Sequence, residues 1–390
     1  MATDSTSRAN FSLTQGGPTD RALERIGFPP HLSRRIVISI LVSWLPLLIL
    51  STLQGLAIGT TVKIPFLLDI AEQTRLLLVM PLLLVAEPII NSSIKEAVEQ
   101  FLHEEIVSEV DLPAFKAAIH QGMRWKESAW AEAILVSIIV VFMITYLDVV
   151  KSIHLSTWIL LPSTSNPGRS LAGWWYTLIS MSLYRFLLFR WCWRFIIWSR
   201  FLWHVSRLRL QLIPTHPDKA GGIAFLGDTQ IRFAILLFSL SAVMAATMAN
   251  LVVYEQKAPL EFKSTVFSYI LLVIILVLLP LFAYTGKLIK VKEQGQLEYS
   301  VLGMDYTKSF EQKWIRTDPA IQESLLGNRD VRSLADLARS FAVVRSMNIV
   351  PFDFDTVKFL VLATILPFVP LVLTVISLQE VLEKMREFLL

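Results

Sequence analysis

Seven long apolar runs, separated by short polar segments, set the pattern of this chain. They fall at about Ile36–Ile58, Arg75–Ile90, Ala131–Val150, Gly173–Trp198, Ile231–Tyr254, Thr265–Gly286 and Val357–Leu378. A helix needs roughly 20 residues to cross a bilayer core. The second run is the shortest. It holds Pro81 and ends at Glu87-Pro88, so it reads either as a crossing or as a kinked or re-entrant segment. The pattern predicts an all-α membrane protein, a polytopic bundle of seven transmembrane helices with a small cytoplasmic helical layer. Residues 1–35 form an N-terminal segment, partly disordered. Residues 36–286 hold spans one to six, with a helical loop at 92–130 and a motif loop at 199–230. Residues 287–356 form a helical segment, and 357–390 the last span with an amphipathic tail. A capping box, Ser333 to Asp336, is expected to open a short helix, and Asp318-Pro319 to turn the chain.

Charge orients the bundle. Segments 1–35, 92–130, 199–230 and 287–356 carry 23 Lys and Arg, against 7 in the alternate segments. The positive-inside rule then puts the N-terminus in the cytoplasm and the C-terminus outside. Composition agrees: the chain is 54% hydrophobic and only 17% charged, where soluble domains carry roughly 25%. The first apolar run starts only at Ile36, after Asp4, Asp20 and Glu24, unlike a cleavable signal.

The candidate chemistry lies in the fourth run, which contains Arg185, Arg190 and Arg194. Charge within a membrane segment is costly and is kept where it faces protein, a counter-charge or water. Arg190 and Arg194 share one helix face, and Arg185 falls off that stripe. This spacing is not that of a voltage sensor. Counted from Trp174, Arg185 lies about 16 Å deep, Arg190 about 24 Å and Arg194 about 30 Å. Arg194 is therefore expected to snorkel to the interface. Glu87 lies about 18 Å along the second run from Arg75, so its expected partner is Arg185 or Arg190. The group reads either as a structural ion pair with a basic belt holding anionic lipid, or as the lining of a cavity that admits anions. Trp191, Trp193, Trp198 and Trp203 read as an interfacial belt.

Between the fourth and fifth runs stands His216-Pro-Asp-Lys-Ala-Gly-Gly222. Gly221 and Gly222 permit positive φ. Backbone N–H groups there, with Lys219, could hold a phosphate-bearing group as an anion nest. His216 and Asp218 could form an acid/base pair. A rigid turn is the plainer alternative. Asp228 is an expected N-cap for the fifth span. On that span Ala242 and Ala246, then Ala245 and Ala249, give the small-residue spacing of a close helix-packing or subunit face. Pro367 and Pro370 predict a kink in the seventh.

One cysteine, Cys192, excludes an internal disulfide and a Cys-based zinc site. No metalloprotease, P-loop or nucleophile-elbow motif appears. No cofactor and no nucleic-acid partner is expected.

Thr215-His-Pro-Asp-Lys-Ala-Gly-Gly222, together with Ser333-Leu-Ala-Asp-Leu337 and Val350-Pro-Phe352, resembles patterns in an uncharacterised family of bacterial multi-spanning inner-membrane proteins. The resemblance covers about a tenth of the chain and implies an inner-membrane location without an activity. Taken together, the residues point first to a homo-oligomeric channel or channel-like transporter for small ions. A membrane enzyme acting on a lipid or phosphate-bearing substrate, and a non-conducting scaffold or sensor subunit, are the alternatives.

Overall fold

The computed structural model describes residues 31–152, 156–161, 168–316 and 328–373, and it is helical with no strand among them. The expected disorder of residues 1–20, the Asp318-Pro319 turn and the amphipathic tail fall outside the described residues.

Five helices are long and apolar enough to cross a membrane. They are α1 (Leu32–Leu53), α2 (Ile70–His103), α6 (Phe225–Glu255), α7 (Pro259–Trp314) and α9 (Phe354–Leu371). A sixth crossing arises if the bent pair Glu109–Lys126 and Ala129–Thr145, which meet at 42°, forms one span. Here α3 is Leu112–Lys126 and α4 is Ala129–Ser152. Helix α8 is Arg329–Ser346, folded back along the end of α7. The short second run thus proves to be the middle of a 34-residue helix.

The fourth run is the exception. It forms a long helix, α5 (171–205), that falls outside those six. Its arginines and tryptophans lower its mean hydropathy. Its setting compensates: α5 packs on α1, α2, α3, α4 and α7. Tyr184, Leu187, Trp191, Ile197, Trp198, Phe201 and Val205 are all buried in it. Trp191 and Trp198 are therefore core residues, not an interfacial belt, because neighbouring helices cover the face they occupy. Only Trp203 of the four is well exposed, at 46%.

The opposite condition holds on α7 and α4. Phe267, Leu271, Leu272, Ile275 and Leu276 lie bare on α7; Ile134, Val136, Val141 and Phe142 do so on α4. Contiguous apolar surface of this extent is foreign to a soluble monomer and native to a helix facing lipid tails. The protein is membrane-embedded.

Local chemistry sets the helix ends. Asp69 caps α2 by accepting from the Glu72 N–H, and Asp353 caps α9 by accepting from the Thr356 N–H and hydroxyl. Helix α6 starts at Phe225, so Asp228 sits in its first turn and favours the dipole there, but does not cap it. Helix α8 starts at Arg329 with Asn328 as its cap, so Ser333 lies inside it and opens nothing. The backbone of α9 tightens to a 3₁₀ turn at Leu366–Phe368, where Pro367 removes a donor.

At the first turn of α5, a Cβ on Gly173 would stand 2.2 Å from the Ile159 carbonyl oxygen. Backbone cannot yield as a side chain does. Gly173→Ala is expected to cost about 1–3 kcal/mol, read as a lower unfolding temperature in detergent. An unchanged temperature would show that the 156–161 segment moves freely.

Candidate functional site

Two buried charge clusters occupy different depths of the bundle, and both rest on α2 and α5. The first centres on Glu87. Arg194 Nη1 lies 2.8 Å from Glu87 Oε1, and Arg35 Nη1 of α1 lies 2.9 Å from Oε2. Arg190 Nη1 stands 3.9 Å from Oε1. Glu87 is 6% exposed and Arg194 3%. Trp191 completes the group: its ring lies under the Arg194 guanidinium at 4.9 Å, and its Nε1 donates to the Leu83 carbonyl.

Arg194 is therefore no snorkelling residue. Helix α2 starts at Ile70, five residues before Arg75, which sets Glu87 about 7 Å deeper than a count from Arg75 gives. A helical side chain also leans toward its own N-terminus, so Arg194 reaches back by about a turn. Arg185 lies instead against the Phe142 ring on α4, at 5.7 Å. Arg35 is the partner that the sequence did not single out. It stands at the edge of the first apolar run, a position that reads as ordinary interfacial charge.

The second cluster went unread in the sequence. Glu72, Arg75 and Tyr176 meet where two π-helical segments occur, Thr74–Val79 on α2 and Tyr176–Ser180 on α5. Such widened turns are rare and occur often at functional sites. Arg75 bonds Glu72 directly, and the Tyr176 hydroxyl donates to Glu72 Oε1 at 2.7 Å. Glu72 Oε2 and Arg75 Nε are buried without a hydrogen-bond partner. Next to them, Asp69 accepts from Trp158 Nε1 at 2.9 Å and Asn250 Nδ2 at 2.8 Å.

The loop at 216–222 is organised around its own aspartate. Asp218 accepts from the N–H groups of Ala220, Gly222 and Ala224, and its Oδ1 lies 2.8 Å from His216 Nδ1. Burial would raise the Asp218 pKa, but these N–H groups and His216 outweigh it and hold the carboxyl below its usual range. The donors of the expected anion nest at Gly222 are thus spent within the loop. Lys219 takes positive φ, at 57°, as do Gly221 and Gly222. The two motif segments, far apart in sequence, touch: Asn348 N–H donates to the Lys219 carbonyl at 2.7 Å, and Gly227 packs on Pro351 and Phe352.

Ala242, Ala245 and Ala246 are buried within the chain itself, where α6 packs on α2 and α9. With Ala249 they line an apolar groove bounded by Pro367 and Pro370.

Set beside known proteins, the chain matches no family model, no curated protein and no solved structure.

Proposed function

We propose that the protein is a channel or channel-like transporter for small ions, with seven crossings, its N-terminus in the cytoplasm and its C-terminus outside. The carrying observation is the Glu87 cluster: one carboxylate deep in the bundle shared by Arg35, Arg190 and Arg194. Ionisable groups at membrane depth mark ion pathways. A second cluster, Glu72 with Arg75, lies about 22 Å away along α2. Between them stand Met80, Leu83, Tyr184 and Leu187, all buried. On this reading the pathway is closed, polar at both ends and plugged by apolar side chains that must part for conduction. Helix α5 is read as the seventh crossing. Its Leu171 N–H meets Gln54 at one end of the bundle, and its Leu202 carbonyl meets the Tyr284 hydroxyl toward the other.

The excess of Lys and Arg on the His216 side supports a cytoplasmic placement of that face and attraction to anionic lipid. The resemblance of the motif segments supports a bacterial inner membrane. A homo-oligomer remains part of the reading because channels commonly build pores by symmetry. Transport is favoured over catalysis because the buried charge of the Glu87 cluster lies within the helix bundle, whereas the His216–Asp218 pair belongs to a tight loop whose carboxylate also holds three backbone N–H groups.

The test is ion flux into proteoliposomes, with anions and cations measured separately. Arg190 stands farthest from Glu87 of the three arginines, at 3.9 Å. Arg190→Ala is expected to change flux or its selectivity about tenfold, with the elution volume unchanged. Unchanged flux removes Arg190 from the mechanism; no flux from the wild-type protein rejects the transport reading.

A further inference from the structure

A cavity of about 510 Å³ lies at the bend between α3 and α4, against the side of α5. That volume is in the range of small-ligand sites. The chain passes from polar to apolar at this bend: Arg124, Lys126 and Glu127 precede it, and residues 133–147 carry no charge. Trp130, at the bend itself, is 81% exposed, as suits an aromatic anchor at a bilayer edge. The cavity therefore opens at the level of lipid headgroups. Its wall is fixed by stacking. Trp125 lies parallel to Trp193 of α5, with ring centroids 5.7 Å apart, and the Arg200 guanidinium stands 3.9 Å over the Trp125 ring. The end of α3 is thus held on α5 before a ligand arrives, which lowers the ordering cost of binding.

Arg124 is the one charged residue of the lining, beside the neutral polar Gln121 and Ser128. It is exposed and has no hydrogen-bond or ion-pair partner among the described residues. Glu127 and Glu132 flank the bend without entering the lining, and each is already engaged. An apolar ridge leads away from the cavity along α4: Ile134, Ile138 and Val141 recur at helical spacing and are all exposed. The ridge covers about 10 Å. A soluble anion would use the polar groups and leave this ridge bare, whereas an amphiphile uses both.

We propose that this cavity binds one anionic phospholipid, with its phosphate at Arg124, its glycerol beside the Trp125–Trp193 stack and an acyl chain along Ile134, Ile138 and Val141. A zwitterionic headgroup is disfavoured, because its ammonium would stand near Arg124 with no carboxylate in the lining to receive it. The general attraction of basic segments to anionic lipid spreads over a whole face; this is a single site. The inference rests on the membrane embedding of the protein and not on ion transport.

The experiment is native mass spectrometry of the full-length protein in detergent, given phosphatidylglycerol and phosphatidylcholine in equal amounts. One phosphatidylglycerol per chain should be retained, with a preference of about tenfold or more, the scale of one charge-assisted hydrogen bond. Arg124→Gln should remove the preference at an unchanged unfolding temperature, since Arg124 holds nothing else in place. Gln121→Trp, at an exposed lining residue of α3, fills the cavity while Arg124 stays, and should lose the same lipid. Arg34→Gln, at an exposed arginine of α1 outside the cavity, should keep it. Glycerol phosphate, which has the phosphate without the chains, should not displace it. The inference is overturned by an absence of preference in the wild type, by full retention in Arg124→Gln or Gln121→Trp, or by an equal loss in Arg34→Gln. Displacement by glycerol phosphate would overturn it too, because the ligand would then be a soluble phosphate.

Discussion

Replacing Glu87 with glutamine is expected to cost about 3–5 kcal/mol of stability, the scale of breaking a buried ion pair by removing one partner. The side chain keeps its shape and can still bond, so little packing is lost. Its charge is lost, and three guanidinium groups then lose the carboxylate they share. Arg194 suffers most, because it is 3% exposed and cannot reach water. Arg35, with a fifth of its side chain exposed, can relax outward. The measurement is thermal unfolding in detergent, with Arg194→Gln and the double variant alongside. If the cluster acts as one unit, the double variant should be more stable than Glu87→Gln alone, since it removes the stranded charge together with its partner. Equal unfolding temperatures for wild type and Glu87→Gln would show that water or lipid phosphate already neutralises the arginines. The cluster would then be a solvated pathway and not a clamp.

The sequence made the helices legible and the sites only partly so. Apolar runs of span length announce helices without long-range information, and five of those predicted coincide with helices apolar enough to cross. The fourth run escaped that test for the same reason that made it conspicuous. Arginine and tryptophan lower hydropathy, and only its partners show that they face protein. Depth counting brought Glu87 to the right neighbourhood but not to its nearest arginines. It could not supply the true start of α2 or the tilt of side chains. The Asp69–Glu72–Arg75 series did leave a signal, three charged residues at spacing three where an apolar run begins. Nothing local points to Tyr176 or Trp158, since these join Glu72 and Asp69 across about a hundred residues. The meeting of the 216–222 loop with residues 347–352 is a tertiary fact of the same kind.

That meeting gives Asp218 a structural weight beyond its own loop. Asp218→Ala is expected to destabilise the protein by about 3 kcal/mol or more, because it strands the N–H groups of Ala220, Gly222 and Ala224, at about 1–3 kcal/mol for a buried unsatisfied group. The groups are partly exposed, so water recovers some of each and the sum is not additive. Asp218→Asn keeps one acceptor oxygen and should lose less. The effect should also spread. Without the carboxylate, the positive φ at Lys219 and Gly222 has no bond to sustain it, and the Lys219 carbonyl that receives Asn348 moves with the loop. Hydrogen exchange is therefore expected to rise at 347–352 as well as at 216–224, while the middle of α2 stays protected. The pH dependence has a definite sign. The folded pKa of Asp218 is depressed, so its contribution is fully present above the ordinary aspartate value of about 3.9 and is lost as pH falls through the lower folded value. Wild type should lose stability across that acid window more steeply than Asp218→Asn. If exchange rises only within 216–224, the contact with 347–352 is incidental, and the two motif segments are held in place independently by α6 and α9.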